Sequence, residues 1–465
     1  MPEARLIAEC PIGSVMAPAG HGKTEAIVKT AALGKRALIL THTHAGVHAL
    51  RARLKRLGVP GSAAAVDTIA GWAMRYANAF PRHGAPPKGL PSNSAEWDQL
   101  YKGAAAVISI RAVREVIQAS YDRILIDEYQ DCSALQHDLA IALSRVVPTV
   151  IFGDPMQGIF EFTGATLPWL NQIQPVFPLL LELGTPRRWE GKNPDLGVWI
   201  AQTRDKLARG ERIDLQSGPV NYREAKDAFD MSALFDGIDE REGTTAAIHC
   251  NRQICNQLGK ATKGAFQAIE EIGSQRLRSF ATAWDQAADG QARLAAFQSL
   301  LKDCFSQRDI EEGEFDSPDD LELIAELERA SDKLARFNDI ESVRSLLALS
   351  RRHPRWRVFR SELWRDTDRA MADLAAGRSA TLTDAAAAVR QRTSQTGRAS
   401  QKRTISTPLL LKGLEFDHVV IPDATHFSRE RFAQAKLFYV AISRATRTLT
   451  IAAPSRFIQF STPNT

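Results

Sequence analysis

This chain has few cysteines, and none of them forms a CxxC pair. The five, Cys10, Cys132, Cys250, Cys255 and Cys304, are scattered, which argues against a zinc site and against a disulfide framework. Cys250 and Cys255 read as helix or strand packing rather than as ligands. No apolar run approaches the roughly 18 residues of a membrane span. The opening stretch MPEARLIAECPIGSV has neither the basic nor the apolar region of a secretory signal. The expectation is therefore a cytoplasmic protein with no membrane partner. Neither sign of charge dominates, with 59 Lys and Arg against 54 Asp and Glu, and no internal repeat is evident. What remains is an ordinary globular composition, 44% hydrophobic over 465 residues, long enough for about three domains.

The charge is unevenly placed. Between Val343 and Arg403 there are 14 Lys and Arg and 5 Asp and Glu, a local excess of +9 that leaves −4 on the rest. Arg351, Arg352, Arg355, Arg357 and Arg360 are interleaved with Trp356 and Phe359. Such a segment fits a polyanion partner; it equally fits a solvated helical face with its aromatics packed inward.

Residues 1 to about 185 alternate short β-like runs with helical stretches. RALILTH (36–42), RILIDE (123–128) and TVIFGD (149–154) are apolar runs that end in polar residues. Buried parallel strands read this way, with chemistry at their C-terminal ends. The expected fold is α/β and doubly wound, with ligands at the strand ends. PRHGAPPKGLPSNS (81–94) reads as a loop into a small insertion at about 75–118. Strand-like runs return at TTAAIHC (244–250), HVVIPD (418–423) and TLTIAAP (448–454), and about 257–400 reads as helical. Ser, Pro and two Asp at 317–320 make a good helix start. RQRTSQTGRASQKR (390–403) reads as a return linker.

APAGHGKTEAI (17–27) has the pattern of a phosphate-binding loop. Gly20 and Gly22 let backbone amides approach phosphate oxygens, Lys23 reaches the outer phosphates, and the Thr24 hydroxyl suits Mg2+. Ala17 stands where the general pattern begins with glycine, and serves if its φ is negative. ILIDEYQD places Asp127 and Glu128 at a strand end. Asp127 would hold Mg2+, directly or through water, and Glu128 would polarise the attacking water. In VIFGDPMQGIFEFTGA (150–165), Gln157 follows a strand end and could sense the terminal phosphate. His44 and His48 share a helical face near His42, but no fourth ligand is in view, so Thr24 and Asp127 are the only expected metal ligands.

Taken in order, these segments resemble the UvrD/Rep branch of superfamily 1 helicases. APAGHGKT resembles AGAGSGKT, which also begins with alanine. LILTHTHAGVHALRARL (38–54) and VDTIAGWAMRY resemble the next two family segments. ILIDEYQD resembles VDEFQD, and GDPMQGIFEFTGA resembles GDxxQSIYxWRGA. KGLEFDHVVIP (412–422) and LFYVAISRATRTLTI (437–451) resemble the last two motifs. The similarity covers about 1–190, 243–256 and 404–454; nothing in 257–400 aligns.

The resemblance implies two RecA-like parallel-sheet motor domains, with a helical insertion in the second. The first domain would be 1–185. The second would be 186–256 and 404–465, with 257–403 a reduced insertion between them. It implies ATP and Mg2+ as cofactors and DNA as partner. Lys23, Asp127, Glu128 and Gln157 keep the roles given above. Arg188 in TPRRW would make a second phosphate contact, with Arg187 where an adenine-stacking tyrosine would sit. Arg444 would be the arginine finger, and Glu415, beside Gly413, would contact the ribose. Ala19, Gly20, His21, Gly22, Lys23, Thr24 and Glu25 would line the phosphates. Thr41 and Thr43 would contact DNA phosphates, and Phe160 and Phe162 would stack on bases. The implied activity is ATP-driven translocation on single-stranded DNA with duplex unwinding, 3′→5′. The alternative is a DNA-sensing ATPase subunit that gates a partner nuclease, as in the compact helicase-like subunits of Gabija-type anti-phage defence.

Two departures stand out. Leu409 and Leu410 replace polar residues that touch DNA phosphates in the family. The glutamine with which the family reads adenine is absent upstream of the loop. Discrimination against GTP is therefore expected to stay within about tenfold, or ~1.4 kcal/mol. Competition binding of ATP and GTP checks this, and a much steeper ATP preference would mean that another group reads the base.

Overall fold

Leu38 and Leu40 leave the strand ALILT on one face and Ile39 on the other, and two cores grow from that alternation. The computed structural model describes residues 2–463 apart from 92, 160–166, 239, 264, 269–271, 308–316, 339, 397–401 and 431–432. β1 (Ile12–Met16), β2 (Ala37–Thr41), β3 (Ala64–Thr68), β4 (Arg123–Ile126), β5 (Thr149–Gly153) and β6 (Leu179–Glu182) form a six-stranded sheet, ordered β3-β2-β4-β5-β1-β6. Its pairings are parallel throughout.

β2 and β5 are buried at every position, as strands covered on both faces must be. Leu38, Leu40, Ile124, Ile126 and Ile151 enter one core with Trp72, Leu100 and Trp169. Ile39, Leu125, Val150 and Phe152 enter the other with Ile27, Leu50 and Leu54. Each fully buried aliphatic side chain contributes about 1.5–3 kcal/mol, so these two layers fix the sheet. The strand order then sets the site. β5 lies between β4 and β1, so the segments after all three, 17–22, 127–128 and 154–157, emerge side by side at the carboxyl edge.

The helices begin where the sequence supplies caps. Ser133 and Gln136 form a capping box before Ala134–Ser144. Ser317 caps Pro318–Phe337, with Pro318 in the first turn. At 81–94 the sequence reading was a plain loop, but Pro81–Gly84 forms a helical turn, with Gly84 N–H donating to the Phe80 carbonyl at 2.8 Å. Pro81 pre-sets φ for that turn.

β7 (Ile213–Asp214) pairs antiparallel with β16 (Phe457–Ile458). The other large sheet contains β8 (Val220–Glu224), β9 (Thr245–Ile248), β10 (Gln267–Ala268), β13 (Arg403–Ser406), β14 (Phe416–Ile421) and β15 (Ala445–Ala453), in the order β10-β13-β9-β14-β15-β8. β13 and β14 flank β9 in parallel register. The intervening region is mainly helical around Trp284, Phe297, Leu346, Trp364 and Met371. It is broken by an antiparallel pair, β11 (Phe305–Gln307) with β12 (Trp356–Val358).

By contacts the chain divides into two compact units. One is Met1–Tyr222 with Ala424–Leu449 and Ser455–Thr465; the other is Arg223–Asp423 with Thr450–Pro454. Residues 186–222, 424–449 and 455–465, read from the sequence as part of a second motor domain, thus fall in the unit that holds the first sheet. In the basic segment Arg351, Arg352, Arg355 and Arg357 are exposed, Trp356 is half-buried, and Phe359 is buried beneath the guanidinium of Arg360.

Candidate active site

β1 ends at Met16, and the backbone turns at once into the loop that precedes the helix Lys23–Ala31. Ala17 N–H donates to the Gly153 carbonyl at 2.9 Å, which ties the loop to β5. Ala17 is not among the residues with positive φ, so alanine serves there without strain. Gly20 (φ 75°) and Gly22 (φ 87°) do need glycine. A Cβ on Gly20 would come within 2.6 Å of the Trp189 ring and 2.8 Å of Arg188 Cβ, and one on Gly22 within 3.0 Å of Arg187 Cδ. The loop is thus lined by the 3-10 turn Arg187–Trp189. Arg188 N–H donates to the Gly20 carbonyl at 2.9 Å.

Lys23 Nζ lies 2.9 Å from Asp127 Oδ1 and also pairs with Glu128 Oε1. Burial works against the ammonium, but Asp127 and Glu128 outweigh it and hold its pKa above the ordinary lysine value. Burial, aided by the Glu128 carboxylate, raises Asp127 against the pull of Lys23. Glu128 adopts a left-handed backbone conformation, φ 56°, which costs a non-glycine residue of order 1–3 kcal/mol. Its N–H donates to Asp127 Oδ1 at 2.9 Å, and its carboxylate, besides pairing with Lys23, accepts from Gln130 Nε2. The same Gln130 accepts from Asp154 N–H at 3.1 Å.

The Thr24 hydroxyl and the Asp127 carboxylate are hard oxygen donors, the type Mg2+ takes. Asp127 and Glu128 already gather one cation, the Lys23 ammonium. The loop's positive-φ glycines keep its backbone bare. This set fits a nucleotide phosphate with its cation.

The remaining expected residues are placed as follows. Gln157 is buried and donates to Asp154 Oδ2 at 3.1 Å. Arg188 Nη1 donates to the Ser443 carbonyl at 2.6 Å. Arg444 is buried, with Nε on the Val440 carbonyl at 2.9 Å and Nη2 on Ser443 Oγ at 2.8 Å. His21 is buried and its Nδ1 meets the Ala19 carbonyl at 2.9 Å. A carbonyl only accepts, so Nδ1 carries the proton. Burial lowers the His21 pKa.

Glu25 turns its carboxylate to Lys29 at 2.9 Å and Arg53 at 2.7 Å. Thr41 is buried at the end of β2, and Thr43 caps the helix His44–Arg56 by accepting from Gly46 N–H at 3.0 Å. Gly413 (φ 82°) and Glu415 are exposed and lie in the other unit. Phe160 and Phe162 lie outside the described residues.

Sequence reasoning missed four participants. Trp189 is fully buried against Gly20 and donates to the Ala445 carbonyl at 2.7 Å. Tyr439 Oη accepts from Ala19 N–H at 2.9 Å. Asp154 and Arg204 form a buried ion pair at 2.9 Å. Tyr439 and Asp154 stood inside quoted motifs, and Trp189 beside two singled-out arginines. Arg204 lies in the helix Pro194–Ala208, outside every motif, and had no signal.

Known families match in two places. Residues 91–178 match the UvrD/REP helicase N-terminal domain, and residues 406–452 match the UvrD-like helicase C-terminal domain. The first match contains Asp127, Glu128 and Gln157, and the second Gly413, Glu415 and Arg444. A search of curated proteins found no match. A similar solved chain is the Arterivirus nonstructural protein 10 (helicase) in complex with DNA. The two are 13% identical with a TM-score of 0.27, and the match covers 53% of this chain and 49% of that one. The likeness spans about half of the viral chain and carries no weight.

The geometry makes Lys23 and Glu128 separable. Lys23→Ala is expected to lose nucleotide binding. Glu128→Gln is expected to bind ATP but hydrolyse it about 10²–10⁴-fold more slowly, the usual contribution of a positioned base. Equilibrium binding and single-turnover hydrolysis read the two effects apart; normal turnover by Glu128→Gln would remove that residue from the chemistry.

Proposed function

We propose, from the premise that this is a UvrD/Rep-like chain carrying superfamily 1 helicase domains of the ATP-hydrolysing class, that it couples ATP hydrolysis to movement along single-stranded DNA and to duplex unwinding, 3′→5′, in the cytoplasm. No described helix is long and apolar enough to cross a membrane. The observation that carries the reading is the Lys23 ammonium held by Asp127 and Glu128 at the mouth of a glycine-turned loop.

In this reading Lys23 binds the outer phosphates of ATP, and Thr24 and Asp127 hold Mg2+, which supplies charge neutralisation on those phosphates. Glu128 orients and deprotonates the attacking water. Its pairing with Lys23 must loosen for it to do so, so that phosphate charge replaces carboxylate charge around the ammonium. Gln157 senses the terminal phosphate. Arg188 and Arg444 contribute positive charge as it departs.

Thr41 and Thr43 are assigned to DNA phosphates. The Thr43 hydroxyl spends its acceptor on Gly46 and keeps its proton to donate. The exposed Arg351, Arg352 and Arg355 extend the electrostatic grip on the strand.

DNA-stimulated ATPase and strand displacement, measured side by side, test the proposal. Both are expected. Stimulated hydrolysis without displacement would favour the gating of a partner nuclease in an anti-phage or DNA-processing complex. Replacing Arg351, Arg352 and Arg355 with alanine is expected to weaken DNA binding and flatten its salt dependence, by about 0.7 in log–log slope per lost contact on single strands. ATPase without DNA should stay near the parent value. An unchanged affinity and salt slope would take the segment out of the DNA interface.

A further inference from the structure

Behind the phosphate loop lies a buried polar cluster that the reaction as described does not use. Asp154 is fully buried at the end of β5. Its Oδ1 accepts from Met156 N–H at 3.2 Å and from Arg204 Nε at 3.2 Å and Nη2 at 2.9 Å. Its Oδ2 accepts from Gln157 Nε2 at 3.1 Å. The fully buried Tyr439 hydroxyl accepts from Ala19 N–H at 2.9 Å, and burial together with the nearby Asp154 carboxylate holds its pKa well above the ordinary tyrosine value. A single carboxylate therefore lies between the hydroxyl that holds the phosphate loop and the side chain set to sense the terminal phosphate.

A buried carboxylate is costly unless it is paired and hydrogen-bonded, and Arg204 supplies that pairing for Asp154. Its guanidinium delivers two donors to one oxygen, a geometry lysine does not reproduce. The remaining face of Arg204 turns to Glu182 at 3.7 Å and Asp205 at 3.3 Å. Burial opposes its charge, but Asp154 holds it firmly protonated.

We propose that Arg204 is a positioning residue for ATP hydrolysis: by holding the Asp154 carboxylate in place with two donors, it orients the Gln157 amide and, beside Tyr439, the Ala19 end of the phosphate loop. Arg204 touches no nucleotide in this arrangement. The proposal rests on the ATPase reading given above and adds to it a residue outside every recognisable motif.

The test uses the full chain, Mg-ATP and a saturating oligothymidine, with kcat, KM for ATP and thermal unfolding measured together. Arg204→Gln is expected to lower kcat by up to about a hundredfold, the cost of misplacing a reacting group by an ångström, with KM changed by no more than about threefold. Its thermal midpoint should also fall, because Asp154 loses its counter-charge. The double variant Asp154→Asn with Arg204→Gln removes both charges. It should recover the thermal midpoint but not kcat, since one of the two oxygens that accept from Met156 N–H and Gln157 Nε2 becomes an NH2 that can only donate. Arg204→Lys should recover part of kcat. Two results would overturn the proposal: Arg204→Gln with kcat within about twofold of the parent, or a double variant whose kcat returns together with its thermal midpoint. A parent chain that shows no ATP-induced thermal shift would overturn the ATPase reading and this proposal with it.

Discussion

A buried ammonium between two carboxylates is the constraint on which the rest of the first unit depends. Lys23 sits at the start of a helix, Asp127 and Glu128 at the end of a strand, and they meet because β1 and β4 flank β5 in one parallel sheet. Parallel strands bring their carboxyl ends to one edge. Alternating aliphatic residues on two faces hold those strands in register. A shift of one residue in β4 would send Ile124 and Ile126 to the wrong core and move Asp127 off the lysine. Register, hydrophobic alternation and site chemistry are thus one requirement.

The charges around the loop are matched group by group. Lys23 answers Asp127 and Glu128, and Arg204 answers Asp154. Glu25 is drawn outward by Lys29 and Arg53, which leaves the loop's inner face free of further negative charge. This is the polarity an anionic ligand requires, since a phosphate chain must displace one set of carboxylates without meeting another.

Much of this was legible in the sequence because the physics that fixes it is local. The runs around Leu38, Ile124 and Ile151 announced buried parallel strands, and Gly20 and Gly22 announced a turn that only glycine adopts. Ser317 announced a helix start. What was not legible depends on contacts far apart in the chain. Arg204 is one of several charged residues on its helix, and only the fold shows that it alone faces a buried carboxylate. Trp189 reads as an ordinary core residue until it is seen capping Gly20. The assignment of 424–449 to the unit that holds the first sheet has the same origin. Tyr439 and Ser443 bond to the loop and to the Arg188 turn, and no periodicity in either segment encodes that. The turn at 81–84 was missed for a different reason, since a proline at a first helical position and a proline in a loop look alike.

The bond between Ala19 and Tyr439 closes a separation of 420 residues. A ribosome adding about 5–20 residues per second needs roughly 20–80 s to make that length of chain. For most of that interval, from the synthesis of Asp154 onward, the nascent chain has the loop's glycines, its lysine and both carboxylates, but Ala19 lacks the Tyr439 hydroxyl. The early part of the chain can therefore reach a sheet-forming state well before it reaches the finished site, and a late-made helix, Gln434–Ile442, completes the site rather than the scaffold.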